Sequence, residues 1–232
     1  MIETKNLYFK YEDNLILKNI SIEINDGSFI AIIGANGSGK TTLAKHFNAL
    51  LLPTKGNVLI DNIDTKKKQF NARKNVGFVF QNAEDQLIYS IVEEDIAFGL
   101  ENLGIEASDI RKKVKEITKM LGIEHIAKQN VNMLSGGQKQ LAALAGVLVM
   151  KPKYIVFDEP TAMLDTRNKR NIINIMGNLN KREKIGIILV TNILEDIKHA
   201  NSIIAIKNGS IIFNGKKSRL SNAVIKRCGL DA

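Results

Sequence analysis

One segment near the start of the chain, SFIAIIGANGSGKTT, constrains the fold more than any other stretch. Its first part, residues 28–33, is a continuous apolar run, which is typical of a strand buried on both faces of a parallel sheet. Its second part, residues 34–42, fits the phosphate-binding pattern G-x-x-x-x-G-K-[ST]. We expect a helix from Gly39 to Leu51, because Pro53 cannot continue it. The segment therefore predicts an α/β fold with a phosphate loop.

The residue types in this loop suit a nucleotide. Glycines allow the backbone to turn its N–H groups toward a phosphate, and the following helix N-terminus adds partial positive charge. Lys40 is expected to reach the β- and γ-phosphates, and the Thr41 hydroxyl to bind Mg²⁺. The alternative is a glycine-rich turn with a chance lysine, which the strand–helix context disfavours. The residues expected to bind the nucleotide are Gly34, Ala35, Asn36, Gly37, Ser38, Gly39, Lys40, Thr41 and Thr42.

A second apolar run, YIVFDEP, ends in the carboxylates Asp158 and Glu159. A carboxylate at the end of a parallel strand beside a phosphate loop can bind Mg²⁺, directly or in the outer coordination sphere, which is the role expected of Asp158. Glu159 is expected to polarise the attacking water as a general base. Taken alone, such a pair is more often a helix cap, but its combination with the phosphate loop predicts a catalytic role.

The segment LSGGQKQ predicts the start of a helix, because Ser135 and Gln138 match a capping box. Gly136 and Gly137 weaken that helix by about 1 kcal/mol each, and the sequence shows no structural gain from them. They are expected if an anion has to approach the exposed backbone N–H groups closely.

The rest of the chain alternates strands and helices. Residues 2–9 and 15–24 alternate apolar and polar side chains and predict two antiparallel strands. The apolar runs at residues 75–80 and 185–192 predict two further buried strands. Asn208–Gly209 lies between two apolar runs and predicts a tight hairpin.

The middle of the chain differs, because it contains two amphipathic helix patterns and no strand-like run. One pattern spans residues 90–105, where Ser90 and Glu93 can form a capping box. The other spans residues 107–121. We therefore predict an inserted helical subdomain of about residues 85–132.

The predicted fold class is α/β, with a mainly parallel sheet core, an N-terminal antiparallel β subdomain and the helical insertion. Residues 1–232 are expected to form a single domain, in which residues 1–84 and 133–232 make the core and the β subdomain. The composition, 44% hydrophobic and 25% charged, is that of a soluble globular protein.

Charge and cysteine content limit the cellular setting. The net charge of +9 allows nucleic acid, nucleotide or an anionic membrane surface as partners and selects none of them. Cys228 is the only cysteine, which excludes an internal disulfide and fits a reducing cytosol. The N-terminus is charged where a signal peptide would be apolar, and the longest apolar run, residues 141–150, is too short for a membrane span. We expect any work at a membrane to be done through a partner.

The phosphate loop, LSGGQ, FDEP and the strand that ends in LVT have the order and spacing of the ATP-binding-cassette (ABC) ATPases, which the whole chain resembles. The resemblance implies ATP and Mg²⁺ as ligands and a head-to-tail dimer. In such a dimer, ATP on one subunit's phosphate loop is closed over by Ser135, Gly136 and Gly137 of the other subunit.

The resemblance also implies three further roles. Tyr11 matches the aromatic residue that stacks on adenine, although a core or strand tyrosine is the rival interpretation. Gln81 matches the glutamine that contacts Mg²⁺ and the attacking water and senses the membrane partner. Asp165 matches the loop that crosses the dimer interface.

The segments FVFQNAEDQL and VEEDIAFGLENLGI resemble, more narrowly, the ATPase subunits of energy-coupling factor (ECF) transporters, which import vitamins and transition-metal ions. This implies a peripheral protein at the cytoplasmic face of the cell membrane. The implied partners are a second ATPase subunit, identical or paralogous, a transmembrane coupling subunit and a membrane substrate-binding subunit. Subunits of this kind commonly continue past the last hairpin, whereas little follows Gly215, so we expect a weaker or partner-dependent dimer.

The sequence departs from the ABC pattern at Asn192, where the family has a histidine that contacts the γ-phosphate and orients the water. His199 lies seven residues on, about 10 Å along a continuous helix, which is too far to substitute. The asparagine amide can donate a hydrogen bond, but it carries no charge and cannot relay a proton. We therefore expect MgATP binding with hydrolysis slowed about ten- to hundredfold. The alternative is that Asn192 caps the following helix, and both roles are compatible.

Other functions stay open at this stage. They are the ATPase subunit of another ABC transporter class, an ABC ATPase that acts on nucleic acid, and an ATP-binding regulatory module without hydrolysis. Residues 82–133 leave room for a small helical subdomain but not for a long coiled coil, and the chain holds one cassette. Both observations favour transport, and we expect no nucleic-acid partner.

Overall fold

The computed structural model describes residues 1–230 and contains two β-sheets with helices packed against them. The strands are β1 (Ile2–Tyr11), β2 (Asn14–Ile24), β3 (Phe29–Ile33), β4 (Lys55–Ile60), β5 (Ile63–Asp64), β6 (Val76–Val79), β7 (Tyr154–Asp158), β8 (Gly186–Thr191), β9 (Ser202–Lys207) and β10 (Ser210–Lys216). The α-helices are α1 (Lys40–Phe47), α2 (Gln69–Asn75), α3 (Val92–Glu101), α4 (Ala107–Leu121), α5 (Gly136–Leu148), α6 (Thr166–Glu183) and α7 (Asn222–Arg227). Short 3₁₀ helices lie at Ala83–Asp85, Glu124–Ile126, Val131–Met133, Leu194–His199 and Lys217–Arg219.

The larger sheet has the strand order β10-β9-β3-β8-β7-β6, and every neighbouring pair from β9 to β6 is parallel. Every residue of β3, β7 and β8 is buried, as their unbroken apolar runs predict. Parallel strands end at one edge of a sheet, so the polar residues that follow these strands are brought together there. The predicted fold class, an α/β domain with a mainly parallel core, is confirmed.

The smaller sheet is antiparallel, in the order β2-β1-β4-β5. The sequence predicted β1 and β2 but not the second hairpin. That hairpin turns at Asp61 and Asn62, whose φ angles are 49° and 63°. Asx residues tolerate positive φ, so this dipeptide between short apolar runs is the signal that could have identified the hairpin.

The helical segment has α4 over Ala107–Leu121, as predicted, but the capping box predicted for Ser90 and Glu93 is wrong. α3 begins at Val92, so its N-cap is Ile91, whose side chain has no acceptor and which forms a β-bridge with Asn130. Beside this bridge, the Ser90 carbonyl accepts a hydrogen bond from the Val131 N–H at 2.8 Å. This tertiary pairing displaces the local cap.

Two other turns also test the sequence prediction. α1 ends at Phe47 rather than Leu51, because the chain turns through Ala49 at a φ of 57°. The hairpin at Asn208–Gly209 forms as predicted, with φ angles of 48° and 77° between β9 and β10. Within residues 1–230, no helix has the length and apolar character needed to cross a bilayer.

We predict that His46, on α1, makes the protein sensitive to acid. The ring is fully buried against Phe9, and burial lowers the pKa of His46 from 6.5 to about 4, although its hydrogen bond to the Thr42 carbonyl opposes this change. Between these pH values the unfolded state binds more protons, so the free energy of unfolding decreases as the pH falls from 6.5 toward 4.

At pH 5 this effect amounts to about 2 kcal/mol relative to pH 7. Urea unfolding of wild type and His46→Asn at several pH values measures it. The variant keeps a donor for the Thr42 carbonyl, and its free energy of unfolding should decrease less steeply with acid. Parallel pH profiles would contradict this assignment.

Candidate nucleotide-binding site

The phosphate loop follows β3 and adopts a backbone that two of its glycines permit. A Cβ added at Gly34 would lie 2.3 Å from the Ile206 carbonyl oxygen, so β9 leaves no room for a side chain there. Gly39, at a φ of 104°, immediately precedes α1. Ser38 is turned toward the β9–β10 hairpin, where its carbonyl accepts the Gly209 N–H at 2.9 Å. The loop is therefore held by β9 and by the hairpin behind it.

The Lys40 side chain is 4% exposed and folds back onto the phosphate loop. Its Nζ donates to the carbonyls of Gly34 at 3.0 Å and Ala35 at 3.1 Å. The same Nζ lies 3.6 Å from Glu159 Oε1, so the lysine and the second carboxylate of the FDEP segment form an ion pair. The cation therefore lies at the mouth of β7, beside the position predicted for the chemistry.

Thr41 and Asp158 meet across the sheet edge, where the Thr41 hydroxyl donates to Asp158 Oδ1 at 2.8 Å. Burial raises the pKa of Asp158 above its usual range, and the hydrogen bond from Thr41 acts in the opposite direction. The two side chains present hard oxygen atoms side by side. Gln81, after β6, lines the adjoining cavity, and its side-chain amide includes an oxygen.

This oxygen set fits Mg²⁺. The ion prefers oxygen ligands, and in nucleotide sites it is held by one or two protein groups together with phosphates. Among the residues that the structure describes, no three His, Cys, Asp or Glu side chains cluster into a cage made of protein alone. The cavity beside Thr41 has a volume of about 400 Å³ and is lined by Ile16, Asn36, Gly37, Gly39, Lys40, Thr41, Thr42, Gln81 and Glu159.

Glu159 has a φ of 46°, an uncommon value for a residue with a side chain. Its N–H donates to the Val190 carbonyl at 2.9 Å, which anchors this backbone to β8. Backbone strain of this kind persists where the surroundings fix it, and it concentrates at functional sites. The side chain is turned into the cavity with Lys40.

Asn192 faces the phosphate loop, because its Nδ2 donates to Asn36 Oδ1 at 2.9 Å. The alternative role, a cap on the following helix, is wrong: the 3₁₀ helix Leu194–His199 has no side-chain cap, and Thr191 Oγ1 accepts the Ile193 N–H instead. The continuous helix assumed for His199 is also wrong, since the segment is kinked at Ile197.

None of the three histidines lies in the cavity wall. His199 packs against Gly177 and Phe29, and His46 is buried in α1. His125 belongs to the 3₁₀ helix Glu124–Ile126 in the helical segment.

The LSGGQ segment forms the N-terminus of α5, and the predicted capping box between Ser135 and Gln138 is confirmed. The expectation of no structural gain from its glycines is wrong for Gly137. A Cβ there would lie 2.6 Å from the Asn168 side chain of α6, so the close packing of α6 favours glycine at position 137. At Gly136 the nearest atom would be 4.0 Å away, on Leu164, so its absence of a side chain has no explanation within the subunit.

Asp165 caps α6 by accepting the N–H groups of Arg167 and Asn168, each at 2.9 Å. Its hydrogen bonds with Asn168 hold the pKa of Asp165 below its ordinary value. Asn168 also fills the space beside Gly137, so the two segments contact each other within one subunit. Neither lies in the wall of the cavity around Lys40; Gly136 lines a second cavity, and Gln81 borders both cavities.

The structure does not bring Tyr11 into the cavity wall, where Ile16 of β2 lies instead. Tyr11 packs edge-on against Phe9, with ring centroids 4.7 Å apart, and is 47% exposed. Ile16 was not predicted as a site residue, although it lies in the alternating pattern of β2 that the sequence does show.

Comparison with known proteins identifies the family. The family model described as "ABC transporter" matches residues 17–162, more than half of the chain. The chain belongs to the ABC transporter family. It is an ATPase of this family, and the resemblance on which the sequence analysis relied is confirmed.

Two individual relatives have names that specify a type of transport system. The energy-coupling factor transporter ATP-binding protein EcfA1 of Caldanaerobacter subterraneus subsp. tengcongensis is 45% identical over 100% of this chain and 87% of its own length. The cobalt import ATP-binding protein CbiO of Syntrophus aciditrophicus is 41% identical over 91% of this chain and 77% of its own length.

Two solved structures of ABC proteins are also similar to this chain. The cbiO1 protein from Clostridium perfringens, described as part of the ABC transporter complex cbiONQ, has a TM-score of 0.87 and 34% identity over 97% of this chain and 92% of that chain. The ATP-binding cassette MJ0796, captured as a dimer in a post-hydrolysis state with ADP and Pi, has a TM-score of 0.83 and 31% identity over 93% of this chain and 98% of that chain.

In this ABC ATPase the C-terminal segment contacts the phosphate loop, which the sequence analysis did not predict. The Ala35 N–H donates to the Cys228 carbonyl at 2.9 Å, just after α7. Gly229, at a φ of 80°, packs so closely that a Cβ there would lie 3.0 Å from Ala35 Cβ. This segment thus supports the loop from outside the cavity.

We predict that Gly229→Ala weakens ATP binding about tenfold, because the added methyl group pushes on Ala35. Gly122→Ala is the matched control: its φ is 68°, so its backbone strain is similar, but nothing lies within 4 Å of the added Cβ. Titration with a fluorescent ATP analogue gives both dissociation constants. Equal affinities in the two variants would show that the segment does not support the loop.

Proposed function

We propose that this chain is the ATP-binding subunit of an ECF-type importer of vitamins or transition-metal ions, and that it hydrolyses MgATP at the cytoplasmic face of the cell membrane. The observation that carries the proposal is the convergence of Lys40, Thr41, Asp158 and Glu159 at the phosphate loop, with the LSGGQ helix start outside that cavity. The relatives named for energy-coupling factor transport and cobalt import support the transport class.

At its own loop, the chain binds the phosphates with Lys40 and with backbone N–H groups near the α1 N-terminus. Lys40 exchanges its two carbonyl partners for phosphate oxygens and neutralises the charge that develops during transfer. Glu159 accepts a proton from the attacking water. When bound, Mg²⁺ would be held by Thr41, Gln81 and Asp158 and would neutralise phosphate charge there. Tyr11 remains our candidate for stacking on adenine, with its ring partly exposed.

The complete site requires a second subunit, identical or paralogous, in a head-to-tail dimer. Ser135, Gly136 and Gly137 then approach the partner's γ-phosphate, and Asp165 lies in the loop that crosses the interface. Large exposed apolar side chains next to both motifs support this arrangement, since Met133 is 81% and Met163 is 70% exposed.

We further propose that residues 85–132 form a helical subdomain that contacts the membrane partners, and that residues 1–84 and 133–232 form the core. Ile88 is 69% exposed between Gln81 and α3, where it can contact a transmembrane coupling subunit. A membrane substrate-binding subunit completes the complex, and no nucleic acid is required.

Asn192 slows hydrolysis in this proposal. Its amide lies beside the loop but is bonded to Asn36, and it offers neither a positive charge nor a proton relay. The subunit therefore binds MgATP, hydrolyses it slowly at its own loop, and still contributes an intact LSGGQ segment to the partner's site.

We predict that Asn192→His raises the turnover of ATP about ten- to hundredfold, because the imidazole can stabilise the γ-phosphate in the transition state. Phosphate release by the complex purified from membranes measures the gain. Asn192→Ala is the control, and it should not accelerate hydrolysis. A histidine variant no faster than wild type would refute impaired hydrolysis.

We predict that Gly136→Ala retains or gains thermal stability, since the methyl group has room and alanine favours a helix, by at most about 1 kcal/mol at this first helical position. Turnover should fall severalfold or more, because that methyl group stands where the partner's phosphate must approach. Gly146→Ala is a matched control on the same helix, also with its nearest atom 4.0 Å away. If Gly136→Ala hydrolysed ATP at the wild-type rate, the proposal that the LSGGQ helix start belongs to the catalytic site would be wrong.

A further inference from the structure

Asp196 is a fully buried carboxylate that has no part in the roles described so far. It lies on the 3₁₀ helix Leu194–His199, and 0% of its surface is exposed. A buried carboxylate is costly unless cations and hydrogen-bond donors compensate it. A side chain of this kind is therefore retained with defined partners around it.

Three partners surround the carboxylate. The Thr161 hydroxyl donates a short hydrogen bond to Oδ2. The Thr191 hydroxyl lies 3.3 Å from the same oxygen and 3.4 Å from the Ile193 carbonyl, so its single proton is shared between these two acceptors. Lys169 Nζ lies 3.2 Å from Oδ1, an ion pair whose geometry falls short of a hydrogen bond. One side chain thus joins a loop, a strand end and a helix.

Each partner adjoins a residue with a proposed role at the site. Thr161 follows Glu159 by two positions, and Thr191 immediately precedes Asn192. Lys169 lies on α6, whose N-cap is Asp165, and its N–H donates to the Asp165 carbonyl at 2.9 Å. The contacts of Asp196 therefore converge on the segments expected to carry the base, the γ-phosphate contact and the interface loop.

We propose that Asp196 is a positioning residue, which holds the segments bearing Glu159, Asn192 and Asp165 in the arrangement that hydrolysis requires. The proposal rests on the proposed roles of those three residues. It assigns Asp196 to the chemical step rather than to nucleotide binding, because none of its partners belongs to the phosphate loop.

The negative charge of Asp196, as well as its shape, matters for this role. An asparagine would keep one oxygen for Thr161, but its amide N–H₂ would then face Lys169. Lys169 has a second carboxylate, Glu195, at 3.6 Å, and Glu195 is exposed. Without the buried charge, Lys169 turns toward Glu195 and solvent, and the start of α6 loses its link to the Thr191 segment.

The test compares Asp196→Asn with wild type in the complex purified from membranes. We expect kcat to fall about tenfold, as for the loss of a hydrogen bond to a charged group, while KM and the dissociation constant for ATP change less than twofold. Glu195→Gln is the matched control at the neighbouring position, where the exposed carboxylate should be dispensable.

A double-mutant cycle with Lys169→Met adds a second measurement. Lys169→Met should lower kcat like Asp196→Asn, because it leaves the buried Asp196 carboxylate without its cation. The double variant should lose less than the product of the two single losses, because it removes both charges together. Should Asp196→Asn not fold, Thr161→Val, which removes one hydroxyl link, must show the same fall in kcat at unchanged KM.

Two results would overturn the proposal. One is wild-type kcat in a folded Asp196→Asn. The other is a parallel loss of kcat, ATP affinity and thermal stability, which would indicate a purely structural residue. Failure of the proposed function would give other results. The wild-type protein would bind no ATP, or Glu159→Gln would hydrolyse ATP as fast as wild type, independently of the effect of Asp196→Asn.

Discussion

The alignment of β3, β8 and β7 is the constraint on which the rest of the structure depends. Ile33 pairs with Thr191, and Val190 pairs with Asp158, so three parallel strands end within about one residue of each other. The segments that follow must then lie side by side. A slip of one residue would turn every side chain of a strand to the opposite face, which two buried faces do not permit.

Electrostatics at this edge follows from the same packing. Lys40, Asp158 and Asp196 are buried where water cannot solvate their charges, so each has partners within the protein. Compensated charges in a low-dielectric setting are fixed in place before substrate arrives, and this preorganisation is a major source of catalytic power. The raised pKa of Asp158 reflects the same burial.

The LSGGQ helix start is not part of the wall of the phosphate-loop cavity. Gly136 lines a second cavity, which Gln81 also borders, and its lack of a side chain has no intramolecular explanation. In isolation, Gly136 costs helix stability and gains nothing. If a partner's phosphate binds there, as we propose, the glycine leaves room for it, and hydrolysis depends on assembly of the dimer.

The sequence by itself determined the features that depend on neighbouring residues. The bounds of α4, the capping box at Ser135 and the hairpin at Asn208–Gly209 follow from helix period, cap spacing and turn chemistry. The fold class also followed, because buried parallel strands have a distinctive apolar pattern.

Only the tertiary structure decided which distant side chains meet. Asn36 and Asn192 are 156 positions apart, and the network around Asp196 joins four separate segments. Likewise, the local cap predicted at Ser90 does not form, because Ile91 forms a bridge with Asn130. Gly137 leaves room for the Asn168 side chain. Sequence spacing cannot specify such contacts, because they arise from how the sheet and helices pack rather than from any local period.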